Sequence, residues 1–537
     1  MGPSVVNFLS MRRFLLAGFL CVLKLAADTY PRQPGIDARH YVFKLTFSDD
    51  TDEIVGETTV EFRFVQDGVA EVALDLATAM TVSEVSSADA PLQFTHESDR
   101  LVIKLASPPH AGDLRQFTIR YHGIPANGLR IGTNKYGERT FFSQNWPNLA
   151  RQWLPMIDHP YDKASSEFII TAASKYQVVA NGVLQEETDL GDGRRLTHWK
   201  QSVPIASWLN AVGVAQFASR HFDQVHGVPL QTWVYHQDRD VGIVAFETPA
   251  RHAMEFYIDH IGPFSYEKLA NVEAAGLSGG TEHASAIFYG EKSISNRPAT
   301  NLVAHEIAHQ WFGDSVTEKD WDDVWLSEGF ATYFTLLCTE HYEGRDAFVT
   351  GLKKSRDTVF AVEKKNPGVA VRHDNLSDMK KVLNQLVYQK GGWTLHMLRG
   401  QIGTDKFWAG IRDYYQRYRD SNASTDDLRK VMEETSGVDL RWFFDQWLNR
   451  AGSPVVEGNW RYDAAGKKII VDLEQKQSGE AYRLPLEIGI SDRIEKIEMT
   501  RKEQKFEIAS DKEPKSVILD PNTWILMDAK FGTEPRP

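Results

Sequence analysis

The stretch His305-Glu306-Ile307-Ala308-His309 decides how the rest of the chain is interpreted. The residues around it follow an apolar pattern that predicts a buried helix over residues 301–312, and Gly313 suits the end of that helix. Two histidines four positions apart lie on one face of a helix, so both rings can reach one ion. Glu306 projects beside them, where it can accept a proton from a metal-activated water. The pentad therefore predicts a catalytic metal site.

A second apolar helical run, from Trp325 to Leu337, carries Glu328 near its start. Two imidazoles and one carboxylate, without a thiolate, are a ligand set that zinc accepts. Three protein ligands leave a fourth position for water, which distinguishes a catalytic zinc from a closed structural one. The sequence thus predicts one zinc ion held by His305, His309 and Glu328.

Two further segments carry a resemblance to a known family. Gly279-Gly280-Thr281-Glu282-His283 lies upstream of the zinc motif, and Tyr388-Gln389-Lys390-Gly391 lies downstream. Together with the zinc motif they resemble the gluzincin zinc aminopeptidases, the family of aminopeptidase N and leukotriene hydrolase, over nearly the whole chain after its leader. The family's Gly-x-Met-Glu-Asn motif is changed at Thr281 and His283, whereas its glutamate is retained as Glu282.

The resemblance implies a zinc metallo-aminopeptidase, which hydrolyses the N-terminal peptide bond of peptides that have a free N-terminus. Glu306 is expected to act as the general base towards the attacking water. Tyr388, which matches the family's tyrosine, is expected to donate a hydrogen bond to the oxyanion.

The resemblance also implies a substrate-binding side. Glu282 is expected to bind the charged amine, so that only the first peptide bond reaches the metal. Gly279 and Gly280 would let the substrate backbone approach closely, as an added edge strand. Thr281 replaces the family's Met and should widen the pocket for the first side chain, which favours larger residues. Gln144 is expected to add a second contact to the amine.

His283 has two interpretations. When protonated, it would compete with the substrate amine for Glu282 and so lower activity on the acid side. Alternatively, it hydrogen-bonds the backbone, as the family's Asn would.

Two alternative functions stay open. The first is an endopeptidase of thermolysin type, which Glu282 and the extent of the resemblance disfavour. The second is a non-catalytic gluzincin-like scaffold or binding protein, which would be expected to have lost His305, Glu306 or Tyr388.

Charge and the N-terminus indicate the compartment and the partners. A net charge of −13 argues against nucleic-acid binding, because no basic stripe is available to neutralise phosphates. The apolar run from Phe14 to Leu23 follows two arginines and resembles a secretory signal peptide, which is too short to span a membrane as a mature helix. We therefore expect residues 1–27 to be removed, the protein to be exported (periplasmic or extracellular), and no stable membrane anchor to remain. Cys338 would then be the last cysteine, so no intrachain disulfide is expected.

Periodicity divides the rest of the chain into three parts. Strand-like alternation runs from Tyr41 to about Ser219, helical periodicity runs from about His221 to Gly452, and alternation returns after Gly452-Ser453-Pro454. The predicted fold is a multidomain α+β protein with an N-terminal antiparallel β domain (28–220), a thermolysin-like, mostly helical catalytic domain (221–452) and a C-terminal β-sandwich (453–537). Many relatives add a large helical C-terminal domain, which is not expected here.

Overall fold

A computed structural model describes residues 28–373 and 376–533. The signal peptide predicted for residues 1–27 lies outside the described residues. Strands dominate the N-terminal and C-terminal parts of the chain, and helices dominate the middle. This order confirms the predicted multidomain α+β class, whereas the division at residues 220 and 452 stays a prediction.

The N-terminal part is built from strands in which alternate side chains are buried. Tyr41, Phe43 and Leu45 are buried on the first strand, and Phe62 and Phe64 on the second, as the alternation predicts. The strands are β1 (Ile36–Thr46), β2 (Ile54–Phe64), β3 (Glu71–Asp75), β4 (Thr81–Ser87), β5 (Ala90–Pro91), β6 (Phe94–Glu97), β7 (Arg100–Lys104), β8 (Leu114–Gly123), β9 (Leu129–Thr133), β10 (Arg139–Ser143), β11 (Ala164–Ala173), β12 (Gln177–Ala180), β13 (Val183–Asp189), β14 (Arg194–Ile205) and β15 (Val212–Ala215).

These strands form three sheets. The largest sheet has the order β13-β14-β11-β1-β2-β8-β4-β5. Strands β1 and β11 pair in parallel, and all other neighbouring strands of this sheet are antiparallel. The second sheet, β12-β15-β10-β9, is antiparallel and has β9 at one edge. Strands β6 and β3 flank β7 in the third. The second sheet matters for function because β10 ends directly before Gln144.

The middle part combines a sheet with a set of helices. Its elements are the strands β16 (Phe217–Val225), β17 (Val228–Tyr235), β18 (Leu269–Ala274), β19 (Gly280–Thr281), β20 (Ala286–Gly290), β21 (Val316–Glu318) and β22 (Ser421–Ala423), and the helices α1 (Arg239–His260), α2 (Thr300–His309), α3 (Trp325–Glu343), α4 (Arg345–Lys365), α5 (Gln385–Ile402), α6 (Thr404–Tyr418), α7 (Thr425–Ser436) and α8 (Arg441–Phe444). Helix α7 begins with a capping box of Ser424 and Asp427 and ends at Gly437 in the left-handed conformation, with φ +72°.

One part of the sequence prediction was wrong here. Helical periodicity was expected from about His221, but residues 217–290 contain a five-stranded sheet in the order β16-β17-β18-β20-β19. Strands β18 and β20 are buried at every position and pair in parallel. A parallel strand that is covered on both faces shows no alternation, so its apolar run cannot be told from a helix by periodicity.

The C-terminal part consists of two small sheets whose buried apolar residues are continuous with the core of the helical part. Leu484, Leu486, Ile488 and Ile490 are buried, as the alternation predicts, and they belong to the same apolar cluster as Val471 on the facing sheet. The strands are β23 (Val455–Asp463), β24 (Lys468–Gln475), β25 (Leu484–Ile490), β26 (Arg493–Met499), β27 (Glu503–Ala509), β28 (Val517–Leu519) and β29 (Asp528–Thr533). They are ordered β27-β24-β23-β29 and β26-β25-β28, which is the arrangement expected of a small sandwich.

Two single features of the described residues are the state of Cys338 and the character of the helices. Cys338 is buried on α3, and burial raises the pKa of its thiol to about 12, so it is the inert thiol expected of a core position. Within residues 28–373 and 376–533, no helix has the length and apolar character that crossing a membrane requires.

Candidate metal centre and its surroundings

Helices α2 and α3 bring three ligand atoms to one point. His305 Nε2 lies 3.3 Å from His309 Nε2, and Glu328 Oε2 lies 3.3 Å from the first nitrogen and 3.4 Å from the second. His309 and Glu328 are buried, while His305 is partly exposed. The two predicted histidines and the predicted carboxylate therefore form a nearly equilateral triangle that is open on the His305 side.

The triangle has the dimensions that one zinc ion requires. Tetrahedral ligands at roughly 2.0–2.2 Å from zinc lie about 3.3–3.6 Å from one another. The Glu328 Oε2 atom is buried and has no well-formed hydrogen bond among the described residues. Although burial opposes it, contact with the two histidines lowers the pKa of Glu328 to about 2, so this carboxylate is charged. The residues present fit a single zinc ion.

The ring of His309 is fixed from its far side. Its Nδ1 atom lies 3.2 Å from the Phe312 carbonyl oxygen and 3.0 Å from Ser327 Oγ. A Cβ atom on Gly313 would lie 2.3 Å from Ser327 Oγ, so this approach needs a glycine, which here has φ +116°. Because Nδ1 is engaged in this way, Nε2 faces the ligand triangle.

Glu306 lies against the backbone of the neighbouring edge strand. A Cβ atom on Gly280 would lie 2.4 Å from the Glu306 carboxyl carbon, so Gly280 is needed to leave room for this carboxylate. Glu282 and Glu306 each place an oxygen within 4.8 Å of a ring nitrogen of His309. Burial, and then the charge of Glu282, raise the pKa of Glu306 well above its usual range. The predicted base thus shares a buried space with the predicted amine ligand.

Tyr388 reaches the centre because two helices approach closely. A Cβ atom on Gly329 of α3 would lie 2.9 Å from the Gly391 carbonyl carbon of α5, so glycines permit this packing. The Tyr388 ring lies 6.2 Å from the His305 ring, measured between centroids, and is nearly parallel to it. Burial, and then the charge of Glu328, raise the pKa of Tyr388, so its hydroxyl stays protonated and can donate.

Helices α2, α3 and α5 form one wall of the site, and the edge of the five-stranded sheet forms the other. Strand β19 pairs only with β20, so its other edge is free among the described residues. Gly279 precedes it with φ +89°. The Thr281 hydroxyl donates to Gln144 Oε1 at 3.2 Å, although the two residues lie far apart in sequence. Glu282 follows directly and is buried. All the predicted substrate-binding residues therefore meet along one short strand.

The acid-side interpretation of His283 was wrong. The side chain is fully buried, with its ring edge-on to Phe288 at 4.9 Å. Burial lowers the pKa of His283 to about 4, so the ring is neutral where it would have to compete for Glu282. Backbone groups of Ser143 and Trp208 lie near the ring, but its nitrogens have no well-formed hydrogen bond in the described part of the chain.

Sequence reasoning missed the residues that hold Glu282 in place. Gln310 Oε1 accepts a hydrogen bond from the Ser285 N–H at 2.8 Å, and Gln310 Nε2 donates to the Glu282 carbonyl at 3.0 Å. Lys268 is buried and donates to the Ser285 carbonyl at 3.1 Å. The position of Gln310 directly after the pentad could have signalled its role. Lys268 gave no such signal, because its partners are distant in sequence.

Comparisons with known proteins settle the family. A family model described as "Peptidase M1 N-terminal domain" matches residues 37–209, and one described as "Peptidase family M1 domain" matches residues 253–447. The chain belongs to the M1 peptidase family. This agrees with the resemblance to aminopeptidase N, and the M1 domain match contains the three ligand residues and Tyr388.

Curated relatives are similar to part of this M1 chain. Glutamyl aminopeptidase of Bos taurus is 26% identical over 347 residues, which are 61% of this chain and 36% of the relative. Tricorn protease-interacting factor F2 of Thermoplasma acidophilum is 26% identical over 450 residues, which are 79% of this chain and 54% of the relative. The chain thus spans about a third to a half of the length of these relatives.

Solved M1 structures share the fold. An M1 zinc metallopeptidase mutant from Deinococcus radiodurans superposes with a TM-score of 0.70 at 24% identity, and covers 79% of this chain and 96% of that one. A mutant of the same enzyme bound to a Tyr-Ser-Ala substrate gives 0.68, also at 24% identity, over 78% and 94% of the two chains.

Proposed function

We propose that this M1 chain is a zinc aminopeptidase that removes the first residue from peptides with a free N-terminus. The observation that carries the proposal is the position of Glu282. Its carboxylate places an oxygen within 4.8 Å of a ring nitrogen of His309, which is one of the three residues of the ligand triangle. A buried acid beside a metal centre can bind the charged amine of a peptide and so places only the first peptide bond at the metal.

His305, His309 and Glu328 would hold one zinc ion, and Ser327 would keep the His309 ring in place from behind. When bound, zinc supplies a Lewis acid that polarises the scissile carbonyl and makes the attacking water more acidic. The curated relatives include glutamyl aminopeptidases, and the structural neighbours are M1 zinc metallopeptidases. Both support the assignment of metal and reaction.

Two side chains would handle the proton and the developing charge. Glu306 accepts the proton of the attacking water and passes it to the leaving amine, and its contact with Gly280 fixes its position. Tyr388 donates its hydroxyl proton in a hydrogen bond to the carbonyl oxygen as negative charge builds there. Because Tyr388 approaches from α5 and Glu306 from α2, they act on the substrate from different elements.

The wall formed by β19 would orient the peptide. The free edge of Gly280–Thr281 offers backbone groups to an extended substrate, which would add as a further strand. Gln144 Oε1 accepts one hydrogen bond from Thr281 and has a second lone pair for an amine N–H. Glu282 supplies the charge. The amine would therefore meet two acceptors, of which only Glu282 can carry a charge, although burial raises the pKa of its carboxyl above the usual range.

A panel of aminoacyl fluorophores tests this proposal. Free-amine substrates should be hydrolysed and their N-acetylated counterparts should not, because acetylation removes the charge that Glu282 binds. Glu282→Gln should raise KM for free-amine substrates without creating activity on acetylated ones. Cleavage of N-acetylated peptides at internal bonds would instead establish an endopeptidase, and hydrolysis of none of the substrates by zinc-loaded protein would favour a non-catalytic scaffold.

We further propose that residues 1–27 are a secretory signal peptide and that the mature protein is exported to the periplasm or the extracellular space. The support is the short apolar run from Phe14 to Leu23 behind two arginines. Expression of the full chain in a secreting host, followed by mass spectrometry of the exported protein, tests this. A mature N-terminus near residue 28 is expected, and retention of residues 1–27 on cytoplasmic protein would contradict it.

A further inference from the structure

A cleft of about 400 Å³ adjoins the wall that β19 forms. Strands β9 and β10 line one side of it, and the loop that leads from β18 towards β19 lines the other. Gln144, which bonds to Thr281, is among the residues that line the cleft. The cleft therefore begins where the first residue of the substrate would lie.

The uncompensated charge in this cleft is positive. Arg130 lines it, is exposed, and has no ion pair or hydrogen bond from its guanidinium within residues 28–373 and 376–533. Asp52 also lines the cleft, but its carboxylate is paired with Arg139 at 2.6 Å. An arginine without a partner inside a concavity can accept a carboxylate from outside the chain.

The strand register directs Arg130 and Gln144 into the same space. Arg130 pairs with Phe142 across β9 and β10, and the Gln144 N–H bonds to the Gly128 carbonyl at 2.7 Å, which continues the ladder by one pair. Arg130 and Gln144 are thus diagonal positions on one face of the ladder. Such positions are about 7–8 Å apart, within reach of long side chains.

The opposite loop is shaped to receive the guanidinium. A Cβ atom on Gly276 would lie 2.1 Å from Arg130 Nε, so the side chain lies directly against the backbone of this residue. Gly276 has φ +78°, a conformation that favours glycine. The guanidinium is therefore held at the cleft wall although it has no charged partner.

We propose that this cleft is a subsite for an acidic first side chain, and that Arg130 determines the specificity by pairing with the carboxylate of Asp or Glu. The planar fork of an arginine matches a carboxylate with two parallel hydrogen bonds. Gln144 and Glu282 take the amine of the same residue. The inference rests on the proposed aminopeptidase function and adds the class of residue that is released.

The test compares two substrates of almost identical shape. The ratio of kcat/KM for glutamyl and glutaminyl anilides should exceed one in the unchanged protein, and Arg130→Gln should lower it by roughly ten- to a hundredfold, the size expected for a hydrogen bond to a charged group. Arg130→Glu should move the preference towards lysyl and arginyl anilides. Arg194→Gln removes an exposed arginine from the β13–β14 hairpin and should leave the ratio unchanged.

Three outcomes separate the inference from the function on which it rests. An unchanged ratio in an active Arg130→Gln protein would overturn the subsite and leave the aminopeptidase standing. Hydrolysis of no free-amine substrate by the unchanged protein would overturn the function itself. The last experiment compares the hydrolysis of peptides that have a free C-terminus with that of the same peptides amidated at the C-terminus. If Arg130→Gln weakens the free-acid peptides alone, whatever their first residue, Arg130 binds the far end of the substrate and the proposal is wrong.

Discussion

The two walls of the site are built differently. His305, His309, Glu328 and Tyr388 lie on α2, α3 and α5, and glycines allow α3 and α5 to pack closely. The facing wall is a two-residue strand, completed by Gln144 from the N-terminal sheet. The helical wall positions its side chains through packed helices, whereas the strand wall depends on hydrogen bonds between distant segments, such as that from Thr281 to Gln144. Changes on the helical wall should therefore cost turnover, and changes on the strand wall should alter substrate binding.

The largest loss is expected for Glu306→Gln. The amide keeps the size of the side chain but cannot accept a proton, so kcat should fall by about 10²–10⁴. Zinc content, measured by mass spectrometry of the metal, should stay the same, because the three ligands are untouched. Retention of more than about a hundredth of the rate would show that Glu306 is not the base.

The second-largest loss of activity is expected for Tyr388→Phe. It removes only the hydroxyl, and loss of one oxyanion donor costs about 10²–10³ in kcat. KM should change little, because the interaction strengthens mainly in the transition state. The exposed Tyr342 provides a matched control, and Tyr342→Phe should leave both constants unchanged. A rise in KM alone would assign Tyr388 to substrate binding. It would also contradict the proposal that changes on the helical wall affect turnover and changes on the strand wall affect binding.

Ser327→Ala tests the support behind the helical wall. The His309 ring would lose the hydroxyl that lies 3.0 Å from its Nδ1. Partners of this kind typically contribute a factor of about 10–100 in metal affinity. Competition with a chelating dye should therefore show weaker zinc binding, while kcat at saturating zinc stays close to normal. An unchanged zinc affinity would mean that the Phe312 carbonyl alone orients the ring.

On the strand wall, Thr281→Val should have a smaller effect. It keeps the branched shape but removes the hydrogen bond to Gln144, and a neutral hydrogen bond contributes about 0.5–1.5 kcal/mol. KM for free-amine substrates should rise by roughly two- to tenfold with little change in kcat. If kcat instead falls while KM is constant, the strand wall also serves the chemical step.

His283→Asn should leave the pH–rate profile unchanged and alter stability alone. Burial lowers the pKa of His283 to about 4, from an ordinary value of 6.5. The unfolded chain therefore binds the proton first, and the stability that the neutral ring contributes is complete above about pH 6.5 and is lost as the pH falls towards 4. Urea unfolding at pH 7 and pH 5 should show a smaller loss on acidification in the variant. A flatter acid limb of activity would contradict this.

The difference between the walls also explains what the sequence could predict. The zinc ligands follow from local spacing, because residues four apart on a helix share a face and Glu328 lies in the first turn of the next α-helix. The sheet of β18 and β20 was missed because both strands are buried throughout. Lys268, Gln310 and Arg130 depend on register and on contacts between distant segments, which a single sequence does not display.

The contact between Gly280 and Glu306 shows the same limit. Gly280 was expected to admit the substrate backbone, and the structure shows that it also makes room for the predicted base. The motif singles out Gly280 but does not reveal this second reason for a glycine. The reason becomes clear only when the neighbouring residue is known, and here Glu306 lies on α2 whereas Gly280 lies on β19.

A zinc titration of metal-free protein tests the central claim most directly. The rate of release of the first residue from a free-amine anilide is followed as zinc is added to a known concentration of chain. We predict no activity without metal and a linear rise that ends at one zinc per chain. His305, His309 and Glu328 form one ligand triangle, and the second possible ligand group of the described residues, Glu282, Glu306 and His309, shares His309 with it. Full activity in the metal-free protein, or a rise that ends only at two zinc ions per chain, would contradict this account.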